Sequence, residues 1–397
     1  MQTPSRYLYE GQTIDPQTAT GQDRLVALHA ANARLLCDCC PAHPEMYLAK
    51  VDTGVLIKRM PDTGYLHAPD CSSFEPPDGF SGRGPLAGSA IVGIDEATIG
   101  LRLGFPLSKG ALRAAPRPSG GTAIEVTPKP GKLGITALLH YLWEEAGLNR
   151  WVPAMYGKRN WRVVRGALLG AAQNHLIKGT VPLGGRLFVP ETYNQKYMDA
   201  IVERRKARLA PIMKPDNAEF GILIAEYKVH EPTRFGARFT FKHLPDLPFF
   251  ADEDQMRQFA RITERHLGLI DVVGDGHLIV IATFGSADAG YPVLKQIGVM
   301  AVDQNWLPVE DWHHAELTSA MCRARRSFIT SLRYNLQQDA PLCAMMATDT
   351  PRPVMMFIDG CTSEGIAHPE LEGLGTWVWD SNHAMPALPA RADRRAS

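Results

Sequence analysis

Two cysteines separated by a single residue, Cys37 and Cys39, stand just ahead of a stretch patterned as a β-hairpin, and His67 and Cys71 stand just beyond it. No other feature constrains the folding of this chain as tightly. The runs MYLAKV and VLIKRM between Met46 and Met60 are apolar and β-compatible, and Asp52-Thr53-Gly54 between them reads as a hairpin turn. A hairpin returns the chain to where it began, so two ligands entering it and two leaving it converge. Three thiolates and one imidazole suit a tetrahedral Zn²⁺, and four protein ligands would make the site structural, because a catalytic zinc usually keeps one position for water. Cys40 and His43 stay open as alternatives, since either could replace a neighbour as ligand. Without a metal, the same residues would be thiols packed as small hydrophobes beside an ordinary surface histidine. With one, the ion substitutes for a core that a short segment rich in Gly and Pro builds poorly, and chelation should unfold the region.

The total of seven cysteines is odd, which argues against a disulfide framework. The polar start MQTPSRYLYEGQ has neither a basic leader nor an apolar core, and no run approaches the ~20 apolar residues that cross a bilayer. A cytoplasmic chain with no membrane partner is therefore expected. Its 397 residues, 45% of them hydrophobic, suffice for two or three cores. Residues 115 to 131, APRPSGGTAIEVTPKPG, lack a sustained apolar face and read as a linker.

Charge balances over the whole chain but not along it. Between Lys129 and Arg208 there are fourteen Lys or Arg against five acids, and segregated charge of this kind suits a polyanion. Helical spacing over Leu133 to Trp143, closed by Gly147, is followed by a helix from Trp161 to Ile177. Alternation around Gly184-Gly185 then suggests a β-hairpin, and Tyr197 to Leu209 a third helix. Helix, helix, hairpin is the order of a winged helix, in which a helix enters the major groove and the wing touches the backbone. Lys158, Arg159, Arg162 and Arg165 would meet phosphate along the second helix, and Arg186 from the wing. DNA or RNA is the expected partner. The bland counterpart is a solvated charged face, with Trp151 and Trp161 completing a small core.

Strands are expected at 222–229, 237–241, 278–282 and 354–358, with helices at 253–267 and 315–328 and an earlier one over 23–36. Asp216, ten residues ahead of Glu226-Tyr227-Lys228, copies the acid, acid, lysine arrangement of Mg²⁺-dependent nucleases, so Asp216, Glu226 and Lys228 form an alternative catalytic set. A second arrangement has the order of a restriction-endonuclease-like fold: a helix carrying Glu316, the strands CAMMATD and VMMFID, then TWVWD. It lacks acid-x-Lys on its second strand, leaving Asp349 and Asp359 as possible stand-ins. No phosphate-binding P-loop, nucleophile elbow or H-E-x-x-H helix occurs.

The segments LCDCCPAHPEMYLAK and LIKRMPDTGYLHAPDCSSFEPP, with Gly157-Lys158-Arg159-Asn160-Trp161 and Leu332-Arg333-Tyr334-Asn335, carry a resemblance that runs almost end to end. The chain is similar to an uncharacterised bacterial domain-of-unknown-function family, often carried on plasmids and integrative elements, whose hallmark is three N-terminal cysteines. The resemblance implies that Cys37, Cys39 and Cys71 are the counterparts of those three, with Cys40 as the extra one. It implies a bacterial mobile-element setting and supplies no activity.

Together these readings predict an α+β, multidomain chain. A zinc-ribbon-like module (37–80) lies within residues 1–114, a linker spans 115–131, a basic winged-helix-like domain spans 132–210, and a mixed α/β domain spans 211–397. The expected function is non-enzymatic, zinc-stabilised nucleic-acid binding. The rivals are a metal-dependent nuclease and an adaptor for protein partners.

Overall fold

A computed structural model describes residues 6–16, 18–51, 54–60, 63–69, 71–95, 98–109, 131–214, 217–360, 368, 371 and 373–392. Apart from Gly131, the expected linker lies outside the described residues, as do Asp216 and the turn residues Asp52 and Thr53.

The N-terminal segment builds a five-stranded antiparallel sheet in the order Gln12–Ile14, Tyr7–Tyr9, Leu35–Cys37, Glu45–Val51, Gly54–Arg59. Its last two strands are the expected hairpin. The helix expected over 23–36 is instead Ala19–Ala30. Thr18 caps it by accepting from the Gly21 amide at 3.0 Å, and Asn32 takes a left-handed φ of 52° just past its end. Leu35 is thereby released into a strand.

The largest sheet centres on the strand Gly221–Thr233, which pairs with His277–Ser286 through its first half and with Gly236–Phe241 through its second. Leu244–Ala251 pairs with Gly236–Phe241, and Pro292–Val302 pairs with His277–Ser286. A single pair, Phe250 with Val293, joins the two outer strands and closes the ring. The central strands are apolar nearly throughout because both of their faces are buried. Ile222, Ile224, Ile279 and Ile281 join the core around the helix Ile135–Glu145. Leu223, Ala225, Val280 and Ala282 alternate with them into a second core, with Phe239, Phe249, Phe259 and Phe284. Gly298 permits the first contact: a Cβ there would lie 2.6 Å from Thr136 Oγ1.

The third large sheet runs Gly375–Asp380, Val354–Asp359, Met345–Ala347, Phe328–Thr330, Arg150–Trp151, with its first pair parallel. Alternation again divides its residues. Ile329, Met346, Met355 and Phe357 pack with Leu25, Cys37, Met46 and Cys71 of the N-terminal module. Phe328, Met345 and Met356 pack with Trp151, Leu317 and Met321, the last two from the helix Trp312–Arg323. The helix expected over 315–328 thus ends at Arg323, and Phe328 opens a strand.

The middle segment differs from a winged helix where the wing was expected. Helices Ile135–Glu145 and Trp161–Ala171 form, but Gly184-Gly185 lies inside the short helix Leu183–Arg186. The hairpin is earlier, between His175–Ile177 and Val181–Pro182, where Lys178 and Gly179 take φ of 51° and 82°. Strands of this segment also pair outside it. Arg150–Trp151 edges the C-terminal sheet, His175–Ile177 runs parallel to Ile99–Leu101, and Leu187–Phe188 runs parallel to Gly221–Thr233. No helix among the described residues is long and apolar enough to cross a membrane.

Candidate functional site

Cys37 ends the strand Leu35–Cys37, and its amide donates to the Pro44 carbonyl at 2.9 Å, closing the turn that carries Cys39. On the far side of the hairpin, the turn Gly64–Leu66 delivers His67, and the Cys71 amide donates to the Ala68 carbonyl. The potential ligand atoms of Cys37, Cys39, His67 and Cys71 all lie within 4.8 Å of one another and could hold a metal ion. Cys37 Sγ is 3.7 Å from Cys71 Sγ. His67 Nδ1 is 3.5 Å from Cys39 Sγ and 3.8 Å from Cys71 Sγ. Cys37, His67 and Cys71 are buried, and Cys39 is half-buried. The two alternatives fall outside this group: Cys40 Sγ faces the Leu66 carbonyl at 3.4 Å, and His43 Nδ1 lies 3.6 Å from Asp38.

Backbone amides and neighbouring thiols shape the charge here. Ala68 N donates to Cys39 Sγ and Ser73 N to Cys71 Sγ, each at 3.4 Å. Hydrogen bonding from the Cys37 thiol pulls Cys71 down to about 5, while the same contact, joined by burial, pushes Cys37 well up. Burial lifts Cys39 to about 11. Thiolate character therefore gathers on Cys71, the kind of ligand a metal cation takes.

The expected phosphate contacts divide into two groups. Lys158 and Arg162 are exposed, one in the loop before the helix Trp161–Ala171 and one in its first turn. The other three are engaged. Arg165 donates to the Val189 carbonyl at 3.1 Å, and Arg186 pairs with Glu219 at 3.1 Å. Arg159 donates to the carbonyls of Leu148 at 2.8 Å, Asn305 at 3.4 Å and Arg150, with its guanidinium 5.7 Å from the Trp151 ring. Burial holds its pKa down at about 10. Arg159 thus ties the loop that carries Lys158 to the segment around Asn305.

Glu226 and Lys228 are not brought together. Glu226 is buried and Lys228 is exposed, with a register irregularity between Tyr227 and Val229. The lysine beside Glu226 is Lys242, at 2.5 Å, and His277 Nδ1 lies 2.6 Å from the same carboxylate. Trp306 stacks on His277 with 4.0 Å between ring centroids. Asp349 accepts from Arg326 Nε at 2.9 Å and Nη2 at 2.7 Å, and Asp359 lies 3.0 Å from His368 Nε2.

Sequence reading passed over a cleft of about 540 Å³ between the loop after Trp151 and the helix Trp312–Arg323. Trp312, Glu316, Ser319 and Arg323 line it at helical spacing, opposite Trp151 and Tyr156. That stripe is the signal that could have found it. The buried side of the same helix carries Leu317 and Met321.

No curated protein and no solved structure matches the chain. Residues 7–382 match the family described as "Protein of unknown function (DUF1173)". With nearly the whole sequence covered, including the cysteine module and both signatures quoted above, the chain belongs to that family.

Proposed function

We propose that this is a zinc-stabilised nucleic-acid-binding protein, in which Zn²⁺ held by Cys37, Cys39, His67 and Cys71 fixes the N-terminal module and nucleic acid binds at the basic loop ahead of Trp161. Three of the ligand separations are compatible with a tetrahedral ion of the size of zinc. Zn–S bonds of ~2.3 Å and a Zn–N bond of ~2.0–2.1 Å at tetrahedral angles give S···S edges of about 3.8 Å and S···N edges of about 3.5 Å. The 3.7, 3.5 and 3.8 Å separations here follow that pattern. Four protein ligands, three of them buried, fit a structural ion.

The observation that carries the nucleic-acid reading is the contrast between Arg159 and its neighbours. Arg159 is spent on backbone carbonyls and braces the loop, while Tyr156, Lys158 and Arg162 around it are exposed. A braced loop presenting an aromatic ring and one cation, with a second cation in the first turn of the helix that follows, suits phosphate and base contact. The test is fluorescence anisotropy with labelled DNA and RNA 20-mers, single and double stranded, across a salt series. The wild type should bind and weaken steeply with salt. Lys158→Ala with Arg162→Ala should cut the slope of log affinity against log salt by about 1.4 to 1.8. Absence of binding at low salt, or an unchanged slope, rejects the reading.

A further inference from the structure

We infer that the cleft between the helix Trp312–Arg323 and the loop bearing Tyr156 is a binding site for a purine or pyrimidine base together with its phosphate, so that the nucleic acid is engaged there as unstacked single strand. The inference rests on the nucleic-acid reading and deepens it. Three observations converge on one ligand chemistry. The first is the aromatic surface: Tyr156 is 70% exposed and Trp312 51% exposed on the lining of the same cleft, although large rings are normally buried or partnered. Uncovered aromatic faces are platforms for bases, and every base has a face to offer.

The second is charge. Arg323 and Arg325 line the cleft, and among the described residues neither pairs with a carboxylate; Arg323 donates only to Ser319 Oγ, at 2.6 Å. The other arginines of this region are committed, Arg326 to Asp349 and Arg333 to Glu310. Two uncommitted guanidiniums beside two exposed rings can take a phosphate and a base together. Glu316, also in the lining, offers an acceptor for exocyclic amines of the base.

The third is size and continuity. About 540 Å³ falls within the ~300–1,000 Å³ of small-ligand sites and admits one nucleotide with room to spare. Trp312 also lines a second cleft, of about 440 Å³, where Arg265 lies. Two clefts sharing one exposed indole suit consecutive nucleotides of a strand. A duplex keeps its base faces stacked on one another and cannot present them to Tyr156 or Trp312. Arg159 makes the site firm, because it links the loop of Trp151 and Tyr156 to the carbonyl of Asn305, another lining residue.

The same chemistry could be met by a free nucleotide, and the test separates the two sources. Labelled dT20 and rU20, their duplexes with dA20, and AMP would be titrated against the wild type, Tyr156→Ala, Trp312→Ala and Trp312→Phe. Both rings are largely exposed, so truncation leaves the core intact, and thermal unfolding would check this. The expected result is binding of a single strand about tenfold or more tighter than its duplex, a further loss of about tenfold in each Ala variant, and near-normal affinity in Trp312→Phe. AMP bound by the wild type and lost in Trp312→Ala, with no preference for single strands, keeps the base site and assigns it to a free nucleotide. Duplex bound as tightly as single strand, with all three variants at wild-type affinity, overturns the inference while leaving nucleic-acid binding in place. Failure of every probe to bind overturns both.

Discussion

Cys37 Sγ and Cys71 Sγ stand 3.7 Å apart across the open end of the N-terminal hairpin, much farther than the ~2.05 Å of a disulfide and close to one edge of a tetrahedron around a shared ion. Purified protein should therefore carry one equivalent of zinc by elemental analysis. Cys37→Ser and Cys71→Ser should lose it, while Cys40→Ser, outside the cluster, should keep it. Metal removal should not stay local. Cys37 and Cys71 share a core with Ile329, Met346, Met355 and Phe357 of the C-terminal sheet, so chelation should lower the thermal midpoint of both regions. Structural zinc sites contribute on the order of 10 kcal/mol of binding free energy that is also folding free energy. Proteolysis with and without chelator, followed by mass spectrometry, would locate the loosened segments.

Arg159 and Lys158 are adjacent in sequence and should behave in opposite ways. Arg159 donates to the carbonyls of Leu148, Arg150 and Asn305 and stacks over Trp151. A lysine in its place cannot reproduce the planar fork, and Arg159→Lys should cost about 2 kcal/mol. Lys158 is exposed, so Lys158→Ala should change stability by less than ~0.5 kcal/mol while weakening polyanion binding. Urea denaturation beside a binding titration distinguishes a brace from a contact.

The carboxylate of Glu226 sets an acid limb for the central sheet. Burial works to raise its pKa, but hydrogen bonds from His277 and Lys242 prevail and hold it below the ordinary value of 4.5. A carboxylate depressed on folding adds stability that is present above its unfolded pKa and is lost as pH falls through the folded value. The wild type should therefore lose stability below about pH 4.5. Glu226→Gln should be less stable at neutral pH by ~2 kcal/mol, since Lys242 is itself half-exposed, and should show a flatter acid limb. Denaturation midpoints from pH 3 to 7 would check both.

The convergence of Cys37, Cys39, His67 and Cys71 was legible because they come in short pairs on either side of a hairpin, and local spacing is what a sequence displays directly. Two helix starts were legible as well, Trp161 and Glu253, which Asn160 and Asp252 cap, whereas the helix expected from 315 starts at Trp312 behind Asp311. What sequence missed is set by register. Lys242 and His277 meet Glu226 only because Tyr227 pairs with Phe241 and Glu226 with Ile279, and no local pattern contains those alignments. His175–Ile177 reads as the end of a helix until Ile99–Leu101 runs parallel to it. Gly184-Gly185 looks like a turn, yet the residues with positive φ are Lys178 and Gly179. Arg159 has the composition of a phosphate contact and the position of a brace, which burial alone distinguishes.

Asp349, a possible metal ligand on sequence grounds, is instead bound to the buried guanidinium of Arg326 through both carboxylate oxygens and accepts from the Ser327 amide at 3.1 Å. The Arg326 side chain is 5% exposed, so removing its partner strands a charge in the protein interior. Asp349→Ala should therefore cost about 3–5 kcal/mol, more than Arg326→Met, which removes the buried charge itself. Arg391, 3.5 Å from the same carboxylate, loses that partner too, at little cost to itself because it is largely exposed, and as a second cation it cannot compensate Arg326. Joining the two substitutions should restore much of what Asp349→Ala removes, because the double variant buries an apolar chain beside no charge. Urea denaturation of the two single variants and the double closes the cycle. A double variant no more stable than Asp349→Ala would show that Asp349 acts mainly through the Ser327 amide and the turn it holds.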